Sequence, residues 1–319
     1  MNFKNHLLVL FSMLSWLAVF SQQNPQFSQY LQNSMVLNPA ITGTENYLEF
    51  ALAYRNQWTG FPGAPKTATF TFQSPSGLLF SDRSDITESH SGLGAFIYSD
   101  ETGPISRSGY YVSYAYHLKV SNDWFVSLGT YVGGSQFRFD ENEVVLVDNP
   151  QDILIQSFST TNLDISLGMY AYSNYLFLGF SANQLLDSRI PYDVQSGVLT
   201  TGRLNRNFNF LIGSRISLDR DWTVIPAGVI RTLVDAPLQW DLSVKTEYQN
   251  RLWAGISYRN KESFYALAGF RLMERLSVSY SYDYPISELR NNQSGSHEIM
   301  ISYRIFEGNK WCGCAVNSM

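Results

Sequence analysis

Residues Leu276 to Asp283 alternate strictly, with Leu276, Val278, Tyr280 and Tyr282 on one face and Ser277, Ser279, Ser281 and Asp283 on the other. A period of two over this length is a strand with one apolar face and one polar face. The pattern returns at Glu298 to Phe306, where Ile299, Ile301, Tyr303 and Ile305 oppose Glu298, Ser302 and Arg304. It returns again at Tyr110 to Leu118, with Tyr110, Val112, Tyr114 and Tyr116 against Ser113, Ala115 and His117. In Leu176 to Asn183, Leu176, Leu178 and Phe180 oppose Gly179, Ser181 and Asn183.

Carried along the chain, the alternation predicts about fourteen strands, an even count within the range of outer-membrane barrels. Their spans are 47–55, 66–74, 91–99, 107–119, 123–137, 162–173, 175–183, 206–218, 222–232, 239–248, 252–259, 263–271, 275–283 and 296–305. The connections supply a second signal. Those at Ser121-Asn122, Ser173-Asn174, Asp219-Arg220-Asp221, Gln249-Asn250-Arg251 and Met273-Glu274 are short, and the intervening 138–161, 184–205 and 284–295 are long. A barrel with short periplasmic turns and longer outer loops has this rhythm. Residues 233–238 and 260–262 are short exceptions on the outer side, and 75–90 is a long one on the periplasmic side.

Alternation alone does not say whether the apolar face meets a protein core or lipid, and composition bears on that choice. Charged residues make up 15% of the 319, against roughly 25% in ordinary soluble domains. Aromatics also reach 15%, with 20 Tyr and 21 Phe. Trp124, Trp222, Trp240, Tyr258, Tyr282 and Tyr303 fall near strand ends, where a membrane barrel carries its aromatic girdles. A mean hydropathy of -0.14 argues against a helical membrane protein. The net charge of -5 argues against nucleic acid as a partner. The expected fold is therefore all-β, a transmembrane antiparallel outer-membrane β-barrel.

Residues 1–21 read as a signal peptide. Lys4 supplies the positive charge, Leu7 to Phe20 the apolar run, and Val19-Phe20-Ser21 the cleavage site. The run is shorter than the roughly 20 residues of a spanning helix. The expected organisation continues with a periplasmic or lumenal segment over 22–46, a barrel over 47–306 and a periplasmic tail over 307–319. Cys312 and Cys314 stand in that tail, their redox state open.

Catalytic and metal-binding patterns are absent: no Gly-x-Ser-x-Gly elbow, phosphate-binding loop or His-Glu-x-x-His motif is present. His117 or His297 with an inward serine is the weak route to a hydrolase. Asp140, Glu141 and Glu143 form an acidic loop cluster, readable as a cation site or as solvated loop. Arg55, Arg138, Arg215, Arg231, Arg259, Arg271 and Arg304 lie at or near strand ends. Pairing with lumenal carboxylates such as Asp164, Asp241 and Glu247 is the default, because unpaired buried charge is costly.

Residues 24–67 follow no repeating pattern and are dense in Asn, Pro, Gly and aromatics. Pro25-Gln26-Phe27-Ser28-Gln29-Tyr30, Leu37-Asn38-Pro39-Ala40, Gly43, Tyr54-Arg55-Asn56-Gln57-Trp58 and Gly60-Phe61-Pro62-Gly63-Ala64-Pro65-Lys66-Thr67 occur in that order. Near the other end, Gly295-Ser296-His297-Glu298-Ile299 opens the last strand. With these motifs the chain resembles the PorP/SprF family of the type IX secretion system. Ser181-Ala182-Asn183-Gln184-Leu185 is similar to a mid-barrel strand end of that family, which often has His where this chain has Gln184.

The resemblance implies a non-enzymatic barrel in the cell outer membrane; with no motif for either, no cofactor and no metal are expected. It implies type IX secretion machinery proteins and a secreted surface adhesin as partners, with outer-membrane lipid around the wall. A passive porin or small-solute transporter is the alternative. Phe27, Tyr30, Asn38, Pro39, Gly43, Arg55, Gln57, Trp58, Gly60, Pro65, Thr67, His297 and Glu298 are the candidate plug and docking residues.

Overall fold

Each alternating segment finds an antiparallel neighbour on both sides, and the wall closes on itself. The computed structural model describes residues 25–80, 87–144, 156–186, 189–194, 198–203, 206–233, 237–287, 290 and 293–305. The expected signal peptide, C-terminal tail and both cysteines lie outside the described residues. The first strands are β1 (Leu48–Asn56), β2 (Lys66–Pro75), β3 (His90–Thr102), β4 (Ile105–Lys119), β5 (Phe125–Phe139), β6 (Phe158–Tyr172) and β7 (Leu176–Asn183). A separate hairpin follows, β8 (Arg189–Val194) and β9 (Val198–Arg203). The wall resumes with β10 (Asn207–Ser214), continued after Arg215 by β11 (Ile216–Ser217). It is completed by β12 (Trp222–Leu233), β13 (Gln239–Tyr248), β14 (Leu252–Arg259), β15 (Ser263–Leu272), β16 (Leu276–Pro285) and β17 (Ser296–Ile305).

With β10 and β11 counted as one wall strand, the barrel has fourteen. Closure comes from β1 and β17, in register from Leu48↔Ile305 to Asn56↔His297. β10 joins the two halves by pairing with both β7 and β12. The expected strands all form, including 66–74 and 263–271. Two features depart from the sequence reading. The loop over 184–205 contains the β8–β9 hairpin. The connection between β3 and β4 is only Gly103-Pro104, so both strands run past their predicted ends.

The faces divide as the alternation requires. On β4, Tyr110, Val112, Tyr114, Tyr116 and Leu118 are exposed, while Tyr111, Ser113, Ala115 and His117 are buried. Exposed apolar rows on most of the wall strands would be a poor surface in water but suit lipid. The β4–β5, β6–β7, β11–β12, β13–β14 and β15–β16 connections are all short and lie at one rim. Gln249-Asn250 and Met273-Glu274 have positive φ at both central residues, the geometry that matches strand twist in two-residue hairpins. Aromatics band both rims: Trp124 meets Tyr175 and Trp222 meets Tyr248 at the short-turn rim, with centroids 6.1 and 4.8 Å apart. Trp240 and Tyr258 pair at 5.5 Å near the long-connection rim.

The plugged lumen as candidate functional site

The lumen is filled by the irregular segment that precedes β1. Tyr30, Met35, Asn38, Ala40, Ile41, Thr42 and Thr44 are all essentially inaccessible. Short 3₁₀ turns at Ser34–Val36 and Pro39–Ile41 fold this stretch. Pro39 sits at the first position of its turn, where a missing N–H costs nothing. The Asn38 side chain caps that turn by accepting from the Ala40 amide at 2.9 Å.

Of the two placements expected for residues 22–46, periplasmic or lumenal, the described residues take the lumenal one, and their first contacts set the direction. Gln26 bonds Gln239 at 2.6 Å, and the Phe27 carbonyl accepts from Arg259 at 3.3 Å. Gln239 begins β13 and Arg259 ends β14, both at the long-connection rim. The described chain thus starts near the long connections and descends through the lumen. It reaches the short-turn rim around Tyr47 and only then rises as β1.

At the upper end, charge fixes the segment. Arg55 pairs with Asp283 at 2.7 Å and Glu298 at 3.2 Å, all three buried. Ser28 completes the cluster: its amide donates to Glu298 at 2.8 Å and its hydroxyl to Asp283 at 2.7 Å. Beside it, Asp241 accepts from Arg231 at 2.9 Å and from Arg259 at 3.2 Å. Tyr30 lies against Arg231, with the guanidinium 5.6 Å from its ring, and its hydroxyl meets Ser243 at 2.9 Å.

Lower down, close packing takes over. A Cβ at Gly92 would overlap the Thr42 carbonyl, and one at Gly168 would overlap the Asn38 side chain. The same holds for Gly129 against Ala40. Gly43 is required twice, by its φ of +80° and by the Gly92 backbone facing it. Wall groups then satisfy the plug carbonyls: Ser127 donates to Ala40 at 2.6 Å and Ser181 to Leu37 at 2.6 Å. In return, the Asn38 amide donates to the carbonyls of Met169 at 2.8 Å and Phe180 at 3.2 Å.

The histidines belong to this packing. His117 Nε2 meets the Thr42 carbonyl at 2.9 Å, and Nδ1 meets the Tyr172 hydroxyl at 3.0 Å. Only a neutral imidazole with its proton on Nε2 satisfies both when Tyr172 donates. His90 stacks on it at 4.6 Å and reaches the Gly43 carbonyl at 3.1 Å. His297 faces outward and meets Tyr280. The hydrogen-bond partners of His117 and His297 are therefore a tyrosine hydroxyl and a backbone carbonyl, with no serine hydroxyl among them.

Of the sequence candidates, Phe27, Tyr30, Asn38, Pro39, Gly43, Arg55 and Glu298 come together inside the lumen. Thr67 lies on the inner wall and donates to Asp100 at 2.6 Å. Gln57, Trp58, Gly60 and Pro65 form the β1–β2 connection at the rim, tied by Gln57 N–H to the Pro65 carbonyl at 2.9 Å. That connection leans on the last one: Thr59 N–H donates to Gly295 at 2.7 Å and Trp58 N–H to Ser296 at 3.1 Å. Ser28, Asp283 and Gln29, whose side-chain amide donates to the Glu298 carbonyl at 3.0 Å, are the anchors that the sequence reading misses. Ser28 and Gln29 stand inside the quoted motif, and Asp283 ends the clearest alternating strand, so position alone marked them.

The expected arginine pairing holds for Asp241 but not for the other two carboxylates named. Glu247 pairs with Lys245 at 2.8 Å. Asp164 has no ion pair among the described residues; the pairing expected for it fails because no strand-end arginine reaches it. Asp140 caps the short turn Glu141–Glu143 through Asn142, and that bond holds its carboxyl below the usual range. Among the described residues no three His, Cys, Asp or Glu side chains converge on a point that would hold a metal ion.

A closed antiparallel wall with an apolar exterior and a plugged polar lumen defines an outer-membrane-type β-barrel. The sequence matches the model of the type IX secretion system membrane protein family PorP/SprF over residues 19–303. The chain belongs to that family. Among solved structures it is similar to the Pseudomonas putida toluene transporter TodX, at 10% identity and TM-score 0.49, covering 89% of this chain and 95% of that one. A TodX deltaS2 mutant gives 10% identity and TM-score 0.50 over 86% and 94%. The Acinetobacter baumannii outer membrane protein Omp33 gives 7% identity and TM-score 0.45 over 82% and 99%. At such identities the likeness concerns the barrel fold alone. No curated protein matches the chain.

Proposed function

We propose that this chain is a non-enzymatic docking barrel of the type IX secretion system, supporting the secretion or surface attachment of a cargo protein such as an adhesin. The observation that carries this reading is the plug. Residues 26–45 occupy the lumen and leave at its upper end a cavity of about 100 Å³, so passage of a polypeptide would require the plug to leave. A barrel plugged in this way acts on its cargo through its rims.

In this reading the short-turn rim faces the periplasm and the long connections face outward, as in other outer-membrane barrels. The docking face is then the long-connection rim, where Trp58, Gly60, Phe61 and Pro65 form one connection braced against its neighbours. Phe61 is 40% exposed there. Tyr30, Asn38 and Glu298 serve the plug and reach no partner directly.

Deleting the gene is expected to remove a cognate adhesin from the cell surface, and crosslinking from native membranes to capture that adhesin or machinery proteins. Normal surface levels of every type IX cargo in the deletion strain sink the proposal. The porin alternative is tested on the purified barrel in planar bilayers, where steady single-channel conductance would favour it.

A further inference from the structure

We propose that the cavity above the plug is a binding site for an alkylammonium group, with Asp164 as its counter-ion. Asp164 is only 3% exposed. Its Oδ2 accepts from the Tyr111 hydroxyl at 3.0 Å, while Oδ1 has no hydrogen-bond partner. Asp241, Asp283, Glu298, Glu49 and Glu247 each face an arginine or lysine within ion-pair distance. Asp164 faces none among the described residues. A buried carboxylate without a cation is costly, and a ligand that brings the cation removes the cost.

The rest of the wall says what kind of cation fits. Phe96, Tyr98, Tyr111 and Tyr131 line the cavity beside Asp164, with ring centroids 5.5 to 6.4 Å apart. Tyr98 lies over Gly109 and Tyr111 over Gly133, so the rings are held flat against the strands. The Tyr131 hydroxyl is committed to the Met35 carbonyl at 2.5 Å. Aromatic faces attract an organic cation and accommodate its methylenes. A hard metal ion favours several carboxylates, and among the described residues no three His, Cys, Asp or Glu side chains converge there. On the opposite wall, Arg231 is turned toward Asp241, which it shares with Arg259.

Gln184, Asn207 and Gln239 also line the cavity, which places it at the long-connection end of the lumen. About 100 Å³ suits the end of a lysine side chain or a small free amine. These two sources share one chemistry, and the inference does not depend on the secretion reading.

The test is calorimetric titration of the full-length barrel in detergent with three probes: n-butylammonium chloride, N-acetyl-lysine N-methylamide and the uncharged N-acetyl-norleucine N-methylamide. Both cations are expected to bind, the norleucine probe at least tenfold more weakly. Asp164→Asn, which keeps an acceptor for Tyr111, is expected to weaken the cations tenfold or more. Tighter binding of the capped lysine than of butylammonium assigns the site to a polypeptide partner and equal binding to a free amine, and either result supports the proposal. Absence of saturable cation binding, or norleucine binding as tightly as lysine, overturns it. Cation binding unchanged in a folded Asp164→Asn barrel overturns it as well. Should that variant not fold, the lysine-to-norleucine ratio on the unaltered barrel still decides.

Discussion

The two sides of the lumen hold the same plug by different physics. On the side formed by β1, β12–β14, β16 and β17, arginines and carboxylates grip residues 26–30 of the segment. On the side formed by β3–β7, glycines and hydroxyls receive residues 37–43. Charge pairs draw a chain in from a distance but are indifferent to small shifts. Glycine notches are the reverse: they supply little attraction but admit one register only. Together they give a plug that is both held and indexed.

The largest expected effect comes from breaking the charged side. Arg55→Met leaves Glu298 without its cation and Asp283 with only Arg259 at 3.7 Å. Removing one partner of a buried pair costs about 3–5 kcal/mol, because the remaining charge stays desolvated. Urea unfolding of the barrel in lipid vesicles is expected to show a loss of that size. The double variant R55M/E298Q is expected to recover part of it, since the stranded charge is then gone. A single variant as stable as the unaltered barrel would remove the charged clamp from the account.

Next in size is the steric side. Gly92→Ala pushes a methyl into the Thr42 carbonyl, which is backbone and has no rotamer to escape into. Overpacking of this kind costs about 1–3 kcal/mol. Hydrogen exchange separates it from the first variant. Amides of residues 38–45 are expected to lose protection in Gly92→Ala while those of 28–30 keep theirs, and equal loss along the whole plug would mean that the two sides are not independent.

The wall was legible in the sequence because period two is a local signal and every strand repeats it. Strand ends were less so: Ile105 and Ser106 join β4 only because Gly103-Pro104 closes a turn that loop-length reasoning had no cause to expect. The plug was legible as an exception to the pattern, and Gly43 and Asn38 were marked by their backbone chemistry. What the sequence could not provide was direction. Nothing in Pro25-Gln26-Phe27 says that these residues sit near the long connections, because that depends on Gln239 and Arg259, more than 200 residues away. Asp164 shows the same limit from the other side. Its type and strand suggest an arginine partner, and only the three-dimensional neighbourhood reveals four aromatic rings instead.

The smallest effect isolates one hydroxyl on each side. Ser127 and Ser281 are both fully buried on the inner wall. Ser127 on the glycine-lined side donates to the Ala40 carbonyl at 2.6 Å. On the charged side, the Ser281 hydroxyl has no hydrogen-bond partner. Replacing each by alanine removes the same atom. At Ser127 the change deprives a buried carbonyl of its donor and is expected to cost about 1 kcal/mol. At Ser281 it removes an unpaired polar group, and the expected change is within about 0.5 kcal/mol. If the two alanine variants unfold at the same urea concentration, the hydroxyl-to-carbonyl bonds contribute nothing to holding the plug, and the glycine notches alone set its lower half.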